Sequence, residues 1–198
     1  IGLVSSYTKK VFSDKVDFQL FKNPEKIISA IKNEKPDIVA LSYYAWNLNL
    51  NNLVFEIAKG NNSFVLTVGG GPTFTELNAN ESGAKAFFSQ QPFCDVFVLN
   101  QGEKGFSVLL ERFIDNQGNI EKLLNERVPG TLVNNFNRKG IVQVGEYLEP
   151  LCDLDDIPSP YLAGLLDPFL EEKNVPLLET NRNCPYRCSY CAFGVGSK

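Results

Sequence analysis

The sequence predicts an α/β fold built on a doubly wound parallel sheet. Short, continuously apolar runs recur at Asp37-Ile38-Val39-Ala40-Leu41, Phe64-Val65-Leu66-Thr67-Val68 and Asp95-Val96-Phe97-Val98-Leu99. Unbroken apolar runs of this length are the mark of strands buried on both faces. Helix-period stripes alternate with them. Leu50, Leu53, Val54, Ile57 and Ala58 form one, and Phe106, Leu109, Leu110, Phe113 and Ile114 form another. The connections are short, so each strand–helix–strand passage reads as a crossover that covers the sheet.

The remaining elements follow in order. Ile1-Gly2-Leu3-Val4 is a short apolar run that reads as a buried strand, and Asp17-Phe18-Gln19-Leu20-Phe21 alternates as a second strand would. Asn23-Pro24-Glu25 is a helix start, with Asn as cap, Pro in the first turn and an acid near the positive end of the dipole. That helix carries Ile27, Ile28 and Ile31 on one face and ends near Glu34-Lys35-Pro36, because a residue before proline is pushed out of the helical region. Residues 75–90 are polar and read as a less regular helix. Thr131-Leu132-Val133 and Ile141-Val142-Gln143-Val144 flank Asn137-Arg138-Lys139-Gly140, the pattern of a β-hairpin appended to the domain. Residues 149–174 hold four of the eleven prolines among acids and aromatics and read as a connector. Val175-Pro176-Leu177-Leu178-Glu179-Thr180-Asn181 reads as one more strand. The expected division is an α/β domain of Rossmann or flavodoxin type over 1–147, a connector over 148–174 and a last segment over 175–198.

Composition narrows the class. Among 198 residues, 43% are hydrophobic and 21% charged, as in ordinary globular domains. The net charge of −4 argues against a nucleic-acid groove, and no apolar run reaches membrane-spanning length. Five cysteines without a secretory signature point to reduced thiols and a cytoplasmic location. Histidine and methionine are both absent, which nothing in the sequence explains. The chain opens on Ile1 and stops seven residues after Cys191, so it is expected to be the N-terminal piece of a longer protein.

Two sets of residues carry chemistry. The first is Cys184, Cys188 and Cys191, spaced C-x3-C-x2-C with Tyr190 before the last. Soft thiolates suit iron–sulfur clusters over hard cations. An odd number of cysteines in a chain this long argues against a disulfide framework. A closed zinc site wants four ligands, and with no histidine the fourth would have to be Cys94 or Cys152.

The second set lies in three loops leaving strand ends. They are Ser42-Tyr43-Tyr44-Ala45-Trp46-Asn47, Gly69-Gly70-Gly71-Pro72 and Asn100-Gln101-Gly102-Glu103. Ligands of open α/β sheets bind beyond the carboxyl ends of the strands, where strand order reverses. Glycines there let backbone approach a ligand and adopt positive φ. The glycine run lacks the lysine of a phosphate-binding loop, which argues against a nucleoside triphosphate. Each loop also has a plain structural reading: a tight turn, a capped helix start, aromatics packed over a strand end. Their occurrence as a set favours a site.

The cysteine run resembles the cluster motif of radical S-adenosylmethionine (SAM) enzymes. The order of Lys35–Ser42, Val68–Pro72 and Asp95–Glu103, followed by Leu154-Asp155-Asp156-Ile157-Pro158-Ser159-Pro160, resembles the cobalamin-binding domain of cobalamin-dependent radical SAM enzymes and its bridge to the barrel. The resemblance covers nearly the whole chain. It implies a [4Fe–4S] cluster on Cys184, Cys188 and Cys191 that cleaves SAM reductively, with Val175–Asn181 as the first strand of a (β/α) barrel. It implies cobalamin on the rim formed by Ser42, Gly69, Gly70, Gly71, Gly102 and Glu103, with Tyr43 or Trp46 near the corrin face. It further implies radical methyl transfer or related chemistry on a small-molecule substrate, with an electron donor such as flavodoxin or ferredoxin and no nucleic-acid or membrane partner. The family domain usually opens with a longer strand and a helix after it, whereas residues 5–16 here are polar and short. With no histidine, this chain offers no imidazole to cobalt. Two other readings stay open: a radical SAM enzyme whose N-terminal domain has lost cobalamin and serves as a substrate or partner module, and a non-enzymatic α/β domain with a zinc knuckle.

Overall fold

In the computed structural model, which describes residues 1–74, 79–135, 139–172, 174–180, 182 and 186, three strands run parallel and side by side. They are β1 (Ile38–Ser42), β2 (Leu66–Gly70) and β3 (Val96–Val98), with Ile38 opposite Leu66 and Val68 opposite Val96. All three fall on the apolar runs. β4 (Thr131–Asn135) then pairs antiparallel with β3, and β5 (Ile141–Val144) pairs antiparallel with β4. The order is β1-β2-β3-β4-β5.

The sheet is therefore mixed rather than wholly parallel, and the hairpin is no appendage. Every residue of β4 is buried. Its alternating side chains serve two cores: Leu132 joins the cluster of Tyr43 and Phe97, and Val133 joins that of Leu66 and Val96. A strand needed on both faces belongs inside the sheet. The described strands also run in simple chain order, so no reversal of strand order lies among them.

Helices cover both faces, as expected. α1 (Gly2–Phe12), α2 (Pro24–Glu34), α3 (Leu48–Asn61), α4 (Glu81–Gln90), α5 (Gly102–Asp115), α6 (Ile120–Leu123) and α7 (Asp167–Glu171) follow in order. One core joins Val54, Phe55 and Ala58 of α3 and Ala84 and Phe88 of α4 to the sheet. The other joins Leu109 and Phe113 of α5 and Ile120 and Leu123 of α6 to the opposite face. Phe55 is fully buried, and removing such a side chain from water contributes about 1.5–3 kcal/mol.

α2 starts as read. The Asn23 side chain accepts from the backbone N–H of Glu25 at 2.7 Å and of Lys26 at 3.3 Å, and Lys35 ends the helix in the left-handed region at φ 48°. α1 is a correction, because Ile1–Val4 had read as a strand. Its buried face is made of Ser5, Ser6 and Thr8 and packs on α5. Small polar residues leave no apolar period to read, so the four apolar residues at its head gave the wrong signal. The polar stretch 5–16 thus carries most of a helix, with no strand before it among the described residues. Asp17–Phe21 likewise forms no strand.

α3 sits rotated from the stripe read in the sequence. Its buried residues are Asn51, Val54, Phe55 and Ala58, while Leu50 and Leu53 are exposed. Two side-chain amides set this rotation. Asn47 Nδ2 and Asn51 Nδ2 both donate to the Ser42 carbonyl, each at 2.9 Å, and clamp the helix start to the end of β1.

The connector is strapped to the domain. Lys104 Nζ donates to the Glu149 carbonyl at 3.0 Å, Lys10 Nζ donates to the Asp156 carbonyl at 2.6 Å, and Lys26 pairs with Glu172 at 2.9 Å. Residues 174–180 carry no regular structure, so the described part of the expected barrel strand is not a strand here, and Asn181 lies outside the described residues. So do Asn137 and Arg138 of the hairpin turn. Among the described residues, no helix is long and apolar enough to cross a membrane.

The opposite end of the sheet from the loops is fixed by Asp95. Its Oδ2 accepts from the Thr67 N–H at 3.0 Å and the Thr67 hydroxyl at 2.9 Å, and pairs with Lys59. Deleting one partner of a buried pair leaves a charge without its counterpart. Asp95→Ala is expected to destabilise the chain by about 3–5 kcal/mol in urea unfolding. A loss under about 1 kcal/mol, the range of an exposed pair, would show that this network does not hold the strands.

Candidate functional site

The carboxyl ends of β1, β2 and β3 form the rim on which the three loops sit. Ser42 is the last residue of β1 and lies opposite Gly70 in the register. It is half-buried, and its carbonyl is occupied by Asn47 and Asn51.

The three glycines do different work. A Cβ on Gly69 would stand 2.9 Å from the Phe97 ring, 3.0 Å from the Tyr43 ring and 3.2 Å from Cys94 Sγ. Gly69 thus clears the space in which those side chains meet. Gly71 has φ +135°, and a Cβ there would lie 2.5 Å from the Tyr43 carbonyl oxygen. Both the conformation and the approach require glycine. Gly70 differs: its Cβ would make only ordinary contact, 3.5 Å and 3.6 Å from Val98. It is half-buried and shares a face with Val68 and Val98.

Tyr43 belongs to the core rather than to a ligand-facing surface. Its ring is 0% exposed and meets Phe97 edge-on at 5.7 Å, with Phe55 and Phe87 at 6.1 Å and 5.9 Å. Its hydroxyl donates to Gln91 Oε1 at 3.3 Å. A side chain closed in on every side offers nothing to a bound group. Trp46 is the reverse: the residue is 81% exposed, and its indole stacks on Tyr44 at 4.6 Å with 12° between the planes.

The third loop opens α5. A Cβ on Gly102 would meet Val4 Cγ2 at 3.0 Å, so this glycine seats α1 against the helix start. Glu103 is 3% exposed, and both its carboxylate oxygens are engaged. Arg182 Nη1 donates to Oε2 at 3.0 Å and Nη2 donates to Oε1 at 2.8 Å. Arg182 also donates to Gln101 Oε1 at 3.1 Å and to Glu179 Oε2 at 2.9 Å. The hydrogen bonds to Glu103 first, and then to Glu179, push the guanidinium pKa still higher than usual. Arg182 did not stand out in the sequence as a partner of Glu103, because the two are 79 positions apart.

Cys184, Cys188 and Cys191 lie outside the described residues. Cys94 is a core thiol that donates to the Val96 carbonyl at 3.3 Å, whereas Cys152 is exposed. Among the described residues, no group of three or more acidic or cysteine side chains is placed to hold a metal ion.

No family model matches the chain. It is 35% identical over 167 residues to the cobalamin-dependent radical SAM methyltransferase TokK of Streptomyces tokunonensis, a match over 81% of this chain and 22% of that protein. It is 34% identical over 167 residues to the 2-(S-pantetheinyl)-carbapenam-3-carboxylate methyltransferase of Streptantibioticus cattleyicolor, over 80% of this chain and 22% of that protein. An uncharacterized methyltransferase of Pyrococcus horikoshii is 29% identical over 175 residues, 34% of its own length. The chain thus spans about a fifth of the first two relatives.

Burial pushes the Tyr43 phenol and the Cys94 thiol up, so both stay protonated in the folded chain. In the unfolded chain they ionise near their ordinary values of about 10 and about 8.5. Each group then favours the folded state fully below its ordinary value, and that stability is lost as pH rises above it. The urea midpoint is expected to fall between about pH 8 and about pH 11, and to fall less in Tyr43→Phe, whose unfolded state has one phenol fewer to ionise. A midpoint that stays level across that range would contradict the burial of both groups.

Proposed function

Because this chain is homologous to a segment of a cobalamin-dependent radical SAM methyltransferase and of a second methyltransferase, we propose that it supplies the cobalamin-binding part of such an enzyme and the entrance to its cluster loop. The observation that carries the reading is the extent of the match. It covers 81% of the chain, so the α/β domain itself is kin, and not the short cysteine run alone.

In this reading, residues 1–147 bind cobalamin, 148–174 bridge and 175–198 begin a radical SAM barrel. Ser42, Gly70 and Gly102 line the rim. Gly69 and Gly71 keep the end of β2 close against Tyr43, and Trp46 offers a flat, exposed indole face to the corrin. Glu103 holds Arg182. Ser42 and Gly70, paired at the half-buried ends of β1 and β2, put small side chains where the nucleotide tail of the cofactor would pass beside the sheet. With no histidine in the chain, no imidazole from this segment meets cobalt. Cys184, Cys188 and Cys191 are assigned to a [4Fe–4S] cluster from their spacing. When bound, cobalamin supplies a transferable methyl group, and the cluster with SAM supplies a one-electron route to a radical. The substrate class is a small molecule, and the electron would come from a donor such as flavodoxin or ferredoxin.

One observation favours a second reading, in which the domain serves as a docking module without cobalamin: Glu103, expected on the rim, is committed to Arg182. Anaerobic gel filtration with hydroxocobalamin separates the two. Co-elution at one cobalamin per chain is expected, with a visible spectrum that lacks a nitrogenous base on cobalt. Gly70→Phe is expected to weaken binding at least about tenfold, roughly 1.4 kcal/mol. Elution of the chain free of cobalamin would move the assignment to the docking module. Reconstitution with iron and sulfide tests the cysteines separately: iron-dependent absorbance is expected to vanish when Cys184, Cys188 and Cys191 are all changed to Ala. Zinc retained in place of iron would point to the knuckle.

A further inference from the structure

We infer that Glu103 and Arg182 form a latch that seats the segment leading into the cysteine run against the start of α5, and that Glu103 is a positioning residue rather than a cofactor ligand. The inference rests on the geometry of the chain and holds whether or not cobalamin binds.

Segment 174–180 carries no regular structure, and Val175, Leu177 and Leu178 are exposed. Its anchors before the latch include Asn174, which bonds Lys22 and the Phe169 carbonyl, and Tyr161, whose hydroxyl donates to the Leu177 carbonyl and accepts from the Leu177 N–H, both at 3.0 Å. Arg182 is different in kind. Its side chain is only 13% exposed, against 4% for Glu103. The two make a fork-to-fork pair, the geometry that fixes direction as well as distance. Gln101, one residue before α5, and Glu179, from the segment itself, take the remaining described bonds. Loop and segment are thereby tied through a single guanidinium, two positions before Cys184.

A planar, five-donor group suits this task, because lysine would meet the same carboxylate as a point charge and leave rotation free. Glu103 also lies in the first turn of α5, where the helix dipole favours a carboxylate, so the anionic half of the latch is held in place before Arg182 arrives.

The test is arginine-specific labelling of the whole chain with phenylglyoxal, read peptide by peptide by mass spectrometry. Arg112 and Arg127 are exposed and serve as internal references. In the unaltered chain Arg182 is expected to label at least tenfold more slowly than either. Glu103→Gln, which keeps the shape and removes the charge, is expected to bring Arg182 close to the reference rate while far-UV circular dichroism stays unchanged. Labelling of Arg182 as fast as Arg112 in the unaltered chain would overturn the proposal, as would protection that persists in Glu103→Gln. Should that variant fail to fold, Arg182→Gln, at the other end of the pair, decides by the rate of chymotryptic cleavage after Leu177 and Leu178. Cleavage several-fold faster than in the unaltered chain supports the latch, and unchanged cleavage refutes it.

Discussion

The fold of the rim depends on side chains that are missing. Gly69 has no Cβ, and so the Tyr43 and Phe97 rings meet across β2 at 5.7 Å. Gly71 has none either, and so the backbone passes against Tyr43 with a positive φ. The Tyr43 N–H donates to the Gly70 carbonyl at 2.7 Å and carries the β1–β2 ladder one step past the strands. With that pairing fixed, Ser42 and Gly70 stand side by side, and the loop carrying Trp46 is aimed outward. A methyl group at either outer glycine would push on the aromatic core or on backbone, and the end of the sheet would have to shift.

Electrostatics then hold the two ends of the domain. Asp95 ties β2 to β3 and to Lys59 at one end, while Glu103 ties the start of α5 to Arg182 at the other. These pairs are largely shielded from water, so they are screened far less than the exposed Lys26–Glu172 and Lys85–Glu81 pairs. The result is a rim whose three loops are each anchored by something different: amides at Ser42, missing side chains at the glycines, and an ion pair at Glu103.

Much of this was legible in the sequence, for identifiable reasons. The three parallel strands and both covering layers followed from apolar runs and helix stripes, and the start of α2 followed from Asn23-Pro24-Glu25. The failures have different causes. α1 buries serine and threonine, so its period was invisible. α3 is rotated by Asn47 and Asn51 reaching back to Ser42. Asp17–Phe21 alternates as a strand would, yet no described strand pairs with it. At the site, positions were legible and roles were not. Tyr43 looked like a rim aromatic until its neighbours were known, and nothing local told that Glu103 would face Arg182. The cysteine spacing stays a sequence-level argument, joined now by kinship over most of the chain.

The composition offers a direct probe of the rim, because Trp46 is the sole tryptophan of the chain. Its indole is exposed, and cobalamin absorbs where indole emits. Titrating the chain with hydroxocobalamin under anaerobic conditions while following tryptophan emission therefore reports on this one loop. Saturable quenching at one cobalamin per chain, beyond that given by free tryptophan at the same absorbance, is the expected result. Quenching no greater than that of free tryptophan would contradict a cobalamin site at the ends of β1 and β2.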